Sequence, residues 1–237
     1  MFDIVVIGAG LIGAAATRYL SETGQNIAVI GAAEPENFKT HQGVFASHYD
    51  AGRITRVLDP DLTWGTLAKR SIEQYAKIEQ ASGIRFHYPV GCLRVDTRDA
   101  EINKVQRIGE EIGGLFHVLN HEGLQKQFPY MQFDESGQGL HEAGAAGYVN
   151  PRALVHAQLK VAVNQGATLI RETVQDINTF KDRVSAQTSE GNTYSAHKVL
   201  IAAGGFTNLL LERPLDLYPK PETIVLAEIS DREADRL

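Results

Sequence analysis

The residues with the most evident chemistry stand near the start of the chain, in Gly8-Ala9-Gly10-Leu11-Ile12-Gly13. Glycines in a Gly-x-Gly-x-x-Gly spacing suit the grip of a diphosphate. The first permits a tight turn, the second lets backbone approach the phosphates, and the third lets a helix pack closely on a strand. Free N–H groups at the helix start, at the positive end of its dipole, then face the anion. The spacing alone is a weak signal, since any glycine-rich turn can show it, and the flanking elements must supply the rest. A ribose-binding acid is expected at the end of the following strand, where Gly31 stands. Glu34 is the nearest carboxylate, three residues later. It reads either as the ribose ligand or as part of a solvated Glu34-Pro35-Glu36 turn. No basic residue occurs in Gly31-Ala32-Ala33, which argues against a 2′-phosphate and so against NADP.

A second glycine-bearing site comes late. Lys198-Val199-Leu200-Ile201-Ala202-Ala203-Gly204-Gly205 is an apolar run ending in small residues, which allow backbone to approach a bulky ligand beyond a strand's carboxyl end. Two such turns, far apart in the chain, favour FAD over NAD, because the ends of a long cofactor need support from separate segments. Arg53 and Arg56 lie three residues apart. A guanidinium grips a carboxylate in bidentate fashion, although two arginines so spaced also occur as solvated side chains. The eight histidines show no metal-ligand spacing. Cys92 reads as a structural thiol with no adjacent base.

These residues need elements to hold them. Phe2–Ile7 is a nearly unbroken apolar run, as a strand buried on both faces would be. Leu11–Ser21 predicts a helix and Ile27–Ile30 a second strand, completing a right-handed βαβ unit. Glu34 to Gly52 predicts a long loop, functional or mobile, carrying Ser47, His48 and Asp50. Leu62–Ala81 predicts a helix with Trp64, Ala68, Ile72, Tyr75 and Ile78 as its buried stripe. Arg85–Asp96 predicts strand interrupted by Pro89 and Gly91, and Glu101–Ile112 and His121–Phe128 predict short helices. Gly137–Val149 is ambiguous. Pro151–Asn164 predicts a helix with Asn150 as N-cap and with Val155, Leu159 and Ala162 on its apolar face. Then come period-two runs at Thr168–Val174, Ile177–Phe180, Val184–Thr188 and Thr193–Ala196, a buried strand at Val199–Ala202, a strand at Thr223–Ile229 and a helix-like Asp231–Leu237.

Composition narrows the function classes. The net charge of −6 excludes a chain that coats nucleic acid through bulk positive charge. Hydrophobic residues at 43% and charged residues at 22% are globular values. One cysteine excludes a disulfide framework and fits a reducing compartment. The apolar start is too short to span a bilayer and lacks the basic leader of a signal peptide. The expectation is a soluble, cytoplasmic protein with no membrane span and no nucleic-acid partner.

Together, Gly8–Gly13, the stretch Ser47-His48-Tyr49-Asp50-Ala51-Gly52-Arg53-Ile54-Thr55-Arg56, Gly147-Tyr148-Val149-Asn150-Pro151 and the Ala203-Gly204-Gly205 turn resemble the FAD-dependent amine and amino-acid oxidases, in particular the sarcosine and N-methyltryptophan oxidase group. The resemblance runs from Met1 to about Glu228 and answers to roughly three-fifths of a complete member. It implies an α/β fold, a Rossmann-like FAD-binding domain (1–84 and 146–213) interleaved with part of a mixed-sheet substrate domain (85–145 and 214–237). It implies that Gly8, Gly10, Leu11, Ile12, Gly13, Glu34, Val174, Ala203 and Gly204 hold FAD. Arg53 would lie near the flavin ring, Arg56 would anchor the substrate carboxylate, and Ser47 and His48 would contact the cofactor or the arginine. The implied reaction is oxidation of the C–N bond of a secondary or N-methyl amino acid, with a following segment or a second chain completing the site. The alternatives are a D-amino-acid or glycine-type FAD dehydrogenase, a non-catalytic dinucleotide-binding subunit, and an NAD-dependent dehydrogenase.

Overall fold

The computed structural model describes residues 1–37, 39–220 and 227–236. In chain order the elements are β1 (Phe2–Ile7), α1 (Leu11–Ser21), β2 (Ile27–Ile30), β3 (Arg53–Thr55), α2 (Leu62–Ser82), β4 (His87–Tyr88), β5 (Cys92–Asp96), α3 (Asp99–Glu111), β6 (His117–Leu119), α4 (His121–Gln127), β7 (Gln138–Glu142), β8 (Gly147–Val149), α5 (Pro151–Asn164), β9 (Thr168–Ile170), β10 (Val174–Thr179), β11 (Val184–Thr188), β12 (Thr193–Ile201) and α6 (Asp231–Ala234). A 3₁₀ turn covers Gly204–Leu210. Contacts divide the chain into two compact units. One comprises Met1–Arg53, Tyr75–His87 and Val149–Pro219, and the other Ile54–Gln74, Tyr88–Tyr148 and Lys220–Leu237.

The first unit is built on a six-stranded sheet in the order β10-β11-β12-β1-β2-β9. β1 pairs in parallel with both β2 and β12, and β2 with β9, while β10 and β11 return antiparallel. The apolar alternation of β1 and β2 decides both faces. Val5, Ile7, Ala28 and Ile30 pack with Ala186 and Ala196 on one side. Val6 and Val29 pack with Ala14 of α1 and Val155 and Leu159 of α5 on the other. α5 starts where its capping chemistry says it should. The Asn150 side chain accepts the Ala153 N–H, Pro151 takes the first turn, and Val155, Leu159 and Ala162 are buried.

The second unit has an antiparallel sheet in the order β5-β7-β6. Leu58, Ile102, Val105 and Leu140 form its core, with Phe116 packed against them. β3, β8 and β4 form a further short sheet. The fold class is α/β with parallel and antiparallel strands, as the residue pattern predicts.

Several elements differ from expectation. Thr193–Ala196 and Val199–Ala202 are not separate strands. They are one nine-residue strand whose first half pairs with β11 and whose second half pairs with β1. Thr168–Val174 breaks after Ile170, and Val174 opens β10 rather than closing β9. Gly137–Val149 resolves into two strands, and β6 is a short strand with no sequence signal of its own. Trp64 is not core: it is 67% exposed. Its neighbour Gly65 is the buried residue there, and a Cβ on it would lie 3.0 Å from the Val57 carbonyl oxygen. The bare α-carbon lets chain pack on that face, so Trp64 turns outward. Of the strand expected at Thr223–Ile229, residues 223–226 lie outside the described residues, and 227–229 are not strand.

Candidate functional site

The site is laid out by the ends of strands β1, β2 and β12. Ile7 faces Ile201 across the parallel β1–β12 pair, so the glycine turns that follow leave the same end of the sheet. The strands are zipped to their last residues. Gly8 N–H donates to Ile30 O at 2.7 Å, Ala202 N–H to Ile7 O at 2.7 Å and Gly31 N–H to Ile170 O at 3.0 Å. This closeness dictates glycine. Gly8 has φ +104°, and a Cβ there would lie 2.3 Å from Ala202 O; one on Gly13 would lie 1.7 Å from Gly8 O. Gly31 passes Ala9 just as closely, with 2.5 Å from a Cβ to the Ala9 nitrogen. The strand end therefore carries no acid, because no side chain fits there.

Beyond these turns lies a cavity of about 850 Å³, toward the upper end of the ~300–1,000 Å³ typical of ligand sites. Gly8, Gly10, Leu11, Ile12, Ala203 and Gly204 line it, as do Glu34, Ser47, His48 and Val174. Gly13 stands behind them as a packing residue. The backbone ladder of α1 begins with Ala14 N–H donating to Gly10 O. The N–H groups of Leu11, Ile12 and Gly13 precede that bond and so have no intrahelical acceptor. Gly10 caps without a side chain, and no acidic residue occupies the first turn. The helix start thus presents donors and an uncompensated positive dipole end to an anion. Gly8 contributes shape only, since its N–H is already spent on Ile30.

The loop after β2 supplies the side chains. His48 is 6% exposed, and its Nδ1 is buried with no hydrogen-bond partner among the described residues. That nitrogen lies 3.7 Å from where a Cβ on Gly10 would stand. Burial pushes the His48 pKa below its ordinary value, and the Glu34 charge pulls the other way. The imidazole is therefore neutral near pH 7 and offers one buried nitrogen beside the glycine turn. Burial, then the Glu34 charge, raises the Tyr49 phenol. Glu34 has a side chain only 16% exposed; it is ion-paired to Arg152 and lies 3.7 Å from His156 Nε2.

The two arginines behave differently from a pair of free cations. Arg53 does not line the cavity. Its Nε and Nη2 donate to Asp50 Oδ2 at 2.8 and 2.5 Å, and Nη2 also donates to Ser47 O. It staples the 47–53 loop that carries His48. Arg56 belongs to the second unit, where Nε donates to Leu58 O at 2.9 Å and Nη2 to Asp59 at 3.3 Å. Glu142, buried beside this turn, accepts Val57 N–H with both oxygens (2.8 and 3.0 Å) and Leu58 N–H at 3.0 Å. Burial raises the Cys92 thiol, with the Arg56 charge opposing, so it stays protonated and unreactive. Among the described residues no group of three or more His, Cys, Asp or Glu could hold a metal ion, and no helix is long and apolar enough to cross a membrane.

Arg152, His156 and Glu142 escaped the sequence reading. Arg152 and His156 stand four apart on α5, a spacing that puts both on one helix face. Nothing local says that this face looks at Glu34.

A dinucleotide fits these residues. A Cβ at Gly8 or Gly13 would collide with backbone, the first N–H groups of α1 have no intrahelical acceptor, and His48 Nδ1 is buried beside Gly10 with no partner among the described residues. Comparisons with known proteins agree. The monomeric sarcosine oxidase of Streptomyces avermitilis is 29% identical over 213 residues, covering 89% of this chain and 53% of that protein. The N-methyl-L-tryptophan oxidase of Yersinia pestis is 27% identical over 223 residues, covering 89% and 55%. The solved structure of L-proline dehydrogenase from P. horikoshii superposes with a TM-score of 0.71 at 21% identity, covering 88% of this chain and 54% of that one. The chain spans about half the length of the curated relatives it matches. Residues 3–236 match the FAD dependent oxidoreductase family (DAO), so the chain belongs to that family and its cofactor is FAD.

Proposed function

We propose that this chain forms the cofactor-holding part of an oxidoreductase that oxidises the C–N bond of a secondary or N-methyl amino acid. The observation that carries the cofactor role is the pair of glycine turns, at the same ends of adjacent parallel strands, that line one dinucleotide-sized cavity; the substrate class rests on the similarity to the sarcosine and N-methyltryptophan oxidases. When bound, FAD supplies the two-electron acceptor for the C–N unit. The chain's own residues bind and orient. N–H groups of Leu11, Ile12 and Gly13 hold the diphosphate, Glu34 the ribose, Val174 backbone the adenine, and Ala203 and Gly204 the flavin end. His48, neutral and buried, presents Nδ1 to the cofactor. Arg53 keeps Ser47 and His48 in place through its bonds to Ser47 O and Asp50. Arg56 anchors the substrate carboxylate, and binding there competes with Asp59 for the guanidinium.

The test is a titration of the purified chain with FAD, followed by the visible spectrum and flavin fluorescence. Saturable binding is expected, and its absence would overturn the cofactor role. Bleaching of the flavin by sarcosine or N-methyltryptophan without oxygen, in the enzyme completed by its remaining polypeptide, tests the substrate class. Bleaching by glycine or a D-amino acid alone would move the assignment to the glycine-type dehydrogenases. A second reading is a cofactor-binding module that turns over nothing until joined by further polypeptide. The local engagement of Arg56 by Leu58 O and Asp59 favours it. A yellow chain that stays inert until a second polypeptide is added would establish it.

A further inference from the structure

The contact between Ala9 and Gly31 has a consequence for the rest of the cavity. With a Cβ excluded at Gly31 by the Ala9 nitrogen at 2.5 Å and the Ala9 Cβ at 2.6 Å, the acid cannot be fixed by strand β2. It sits instead at Glu34, on a loop that no strand ladder holds. A carboxylate so withdrawn from water needs a compensating partner. That partner comes from α5. Arg152 is ion-paired to Oε1 of Glu34, and His156, one turn along, lies 3.7 Å from Oε2.

Arg152 is an odd residue for its place. It follows Pro151 in the first turn of α5, where the helix dipole disfavours a cation, and no acidic residue in that turn offsets it. The helix dipole does not favour an arginine here. Glu34 and His156 line the cavity, whereas Arg152 does not. Among these three, Arg152 touches the carboxylate without lining the cavity.

We propose that Arg152 is a positioning residue for ribose recognition: from the start of α5 it holds the Glu34 carboxylate toward the cavity, doing the work that strand β2 cannot. The inference rests on the reading of this cavity as the FAD site. His156 closes the other side of the carboxylate and leaves its remaining lone pairs to accept ribose hydroxyls.

The experiment is an FAD titration of the 237-residue chain and three variants, with thermal unfolding recorded for each. Arg152→Gln is expected to weaken FAD binding about tenfold with its unfolding midpoint close to wild type. Arg152→Lys, which keeps a cation in reach, is expected to recover most of that loss. In a Glu34→Gln background, Arg152→Gln is expected to add no further loss, because the two residues act as one unit. Wild-type affinity in Arg152→Gln overturns the proposal. So does a loss of equal size with and without Glu34, or an Arg152→Lys variant as weak as Arg152→Gln, since a general packing role would produce either. A wild-type chain with no affinity for FAD overturns the cofactor reading itself, and this inference with it.

Discussion

Glu34 and Glu142 are both carboxylates drawn out of water, and they are satisfied in opposite ways. Glu142 is 4% exposed and takes three bonds from the backbone N–H groups of Val57 and Leu58. Its acceptor capacity goes to fastening a turn, so it serves as a brace. Glu34 is balanced by two side chains of α5, and it lines a cavity. Arg152 pairs with Oε1, and His156 approaches Oε2 no closer than 3.7 Å, so the carboxylate keeps acceptor capacity for a ligand. The difference lies in the donors: backbone amides take up both oxygens of Glu142, whereas Arg152 offsets the charge of Glu34 at one oxygen and leaves acceptor capacity at the other.

Substitutions can break this contrast. The largest effect is expected from Glu142→Leu. It strands two buried N–H donors and should cost about 3 kcal/mol of stability, read from urea or thermal unfolding. A loss below about 1 kcal/mol would mean that water replaces the carboxylate and that the brace is unnecessary. Next comes Arg56→Gln in the completed enzyme, which probes the residue that the braced turn carries. Loss of a charge-assisted bond of about 2 kcal/mol should raise the KM for the amino acid roughly thirtyfold, with kcat changed less. An unchanged KM would remove Arg56 as the anchor.

Glu34→Gln should behave as the mirror image of Glu142→Leu. FAD affinity should fall about tenfold, or ~1.4 kcal/mol, with unfolding nearly unmoved. A large drop in stability with unchanged FAD affinity would make Glu34 a second brace. The smallest effect concerns pH. His48 has a folded-state pKa below its ordinary 6.5 because burial disfavours the cation. Its neutral form therefore contributes stability that is complete above the unfolded value and is lost as pH falls from about 6.5 toward the lower folded value. The unfolding midpoint should drop between about pH 7.5 and about pH 5.5, and His48→Asn should flatten part of that drop. An identical slope in the variant would show that His48 is solvated and does not face the cavity in the neutral form.

The features legible in the sequence share one property: each is decided by neighbours in the chain. Asn150-Pro151 marks the start of α5 because a cap and a fixed φ act within one turn. The runs of β1 and β2 read as buried strands because consecutive residues in each are apolar, and the sheet does cover both faces. Trp64 misled because helical periodicity does not say which of two adjacent positions faces inward, and the close approach of Val57 to Gly65 decides that. β12 read as two strands because its partner changes from β11 to β1 partway along, and the apolar pattern changes with it.

By itself, the sequence established a βαβ unit with an anion-ready glycine turn, a second small-residue turn, and a helix capped by Asn150. Local sterics and hydrogen bonding act over a few residues, so residue types in order are enough to read them. Tertiary structure alone decided that both turns leave one end of the sheet, that Gly31 has no room for an acid, that Arg152 and His156 flank Glu34, and that Glu142 belongs to Val57 and Leu58. Those outcomes depend on through-space distances between segments far apart in the chain, and charge pairing and steric exclusion respond to distance, not to order.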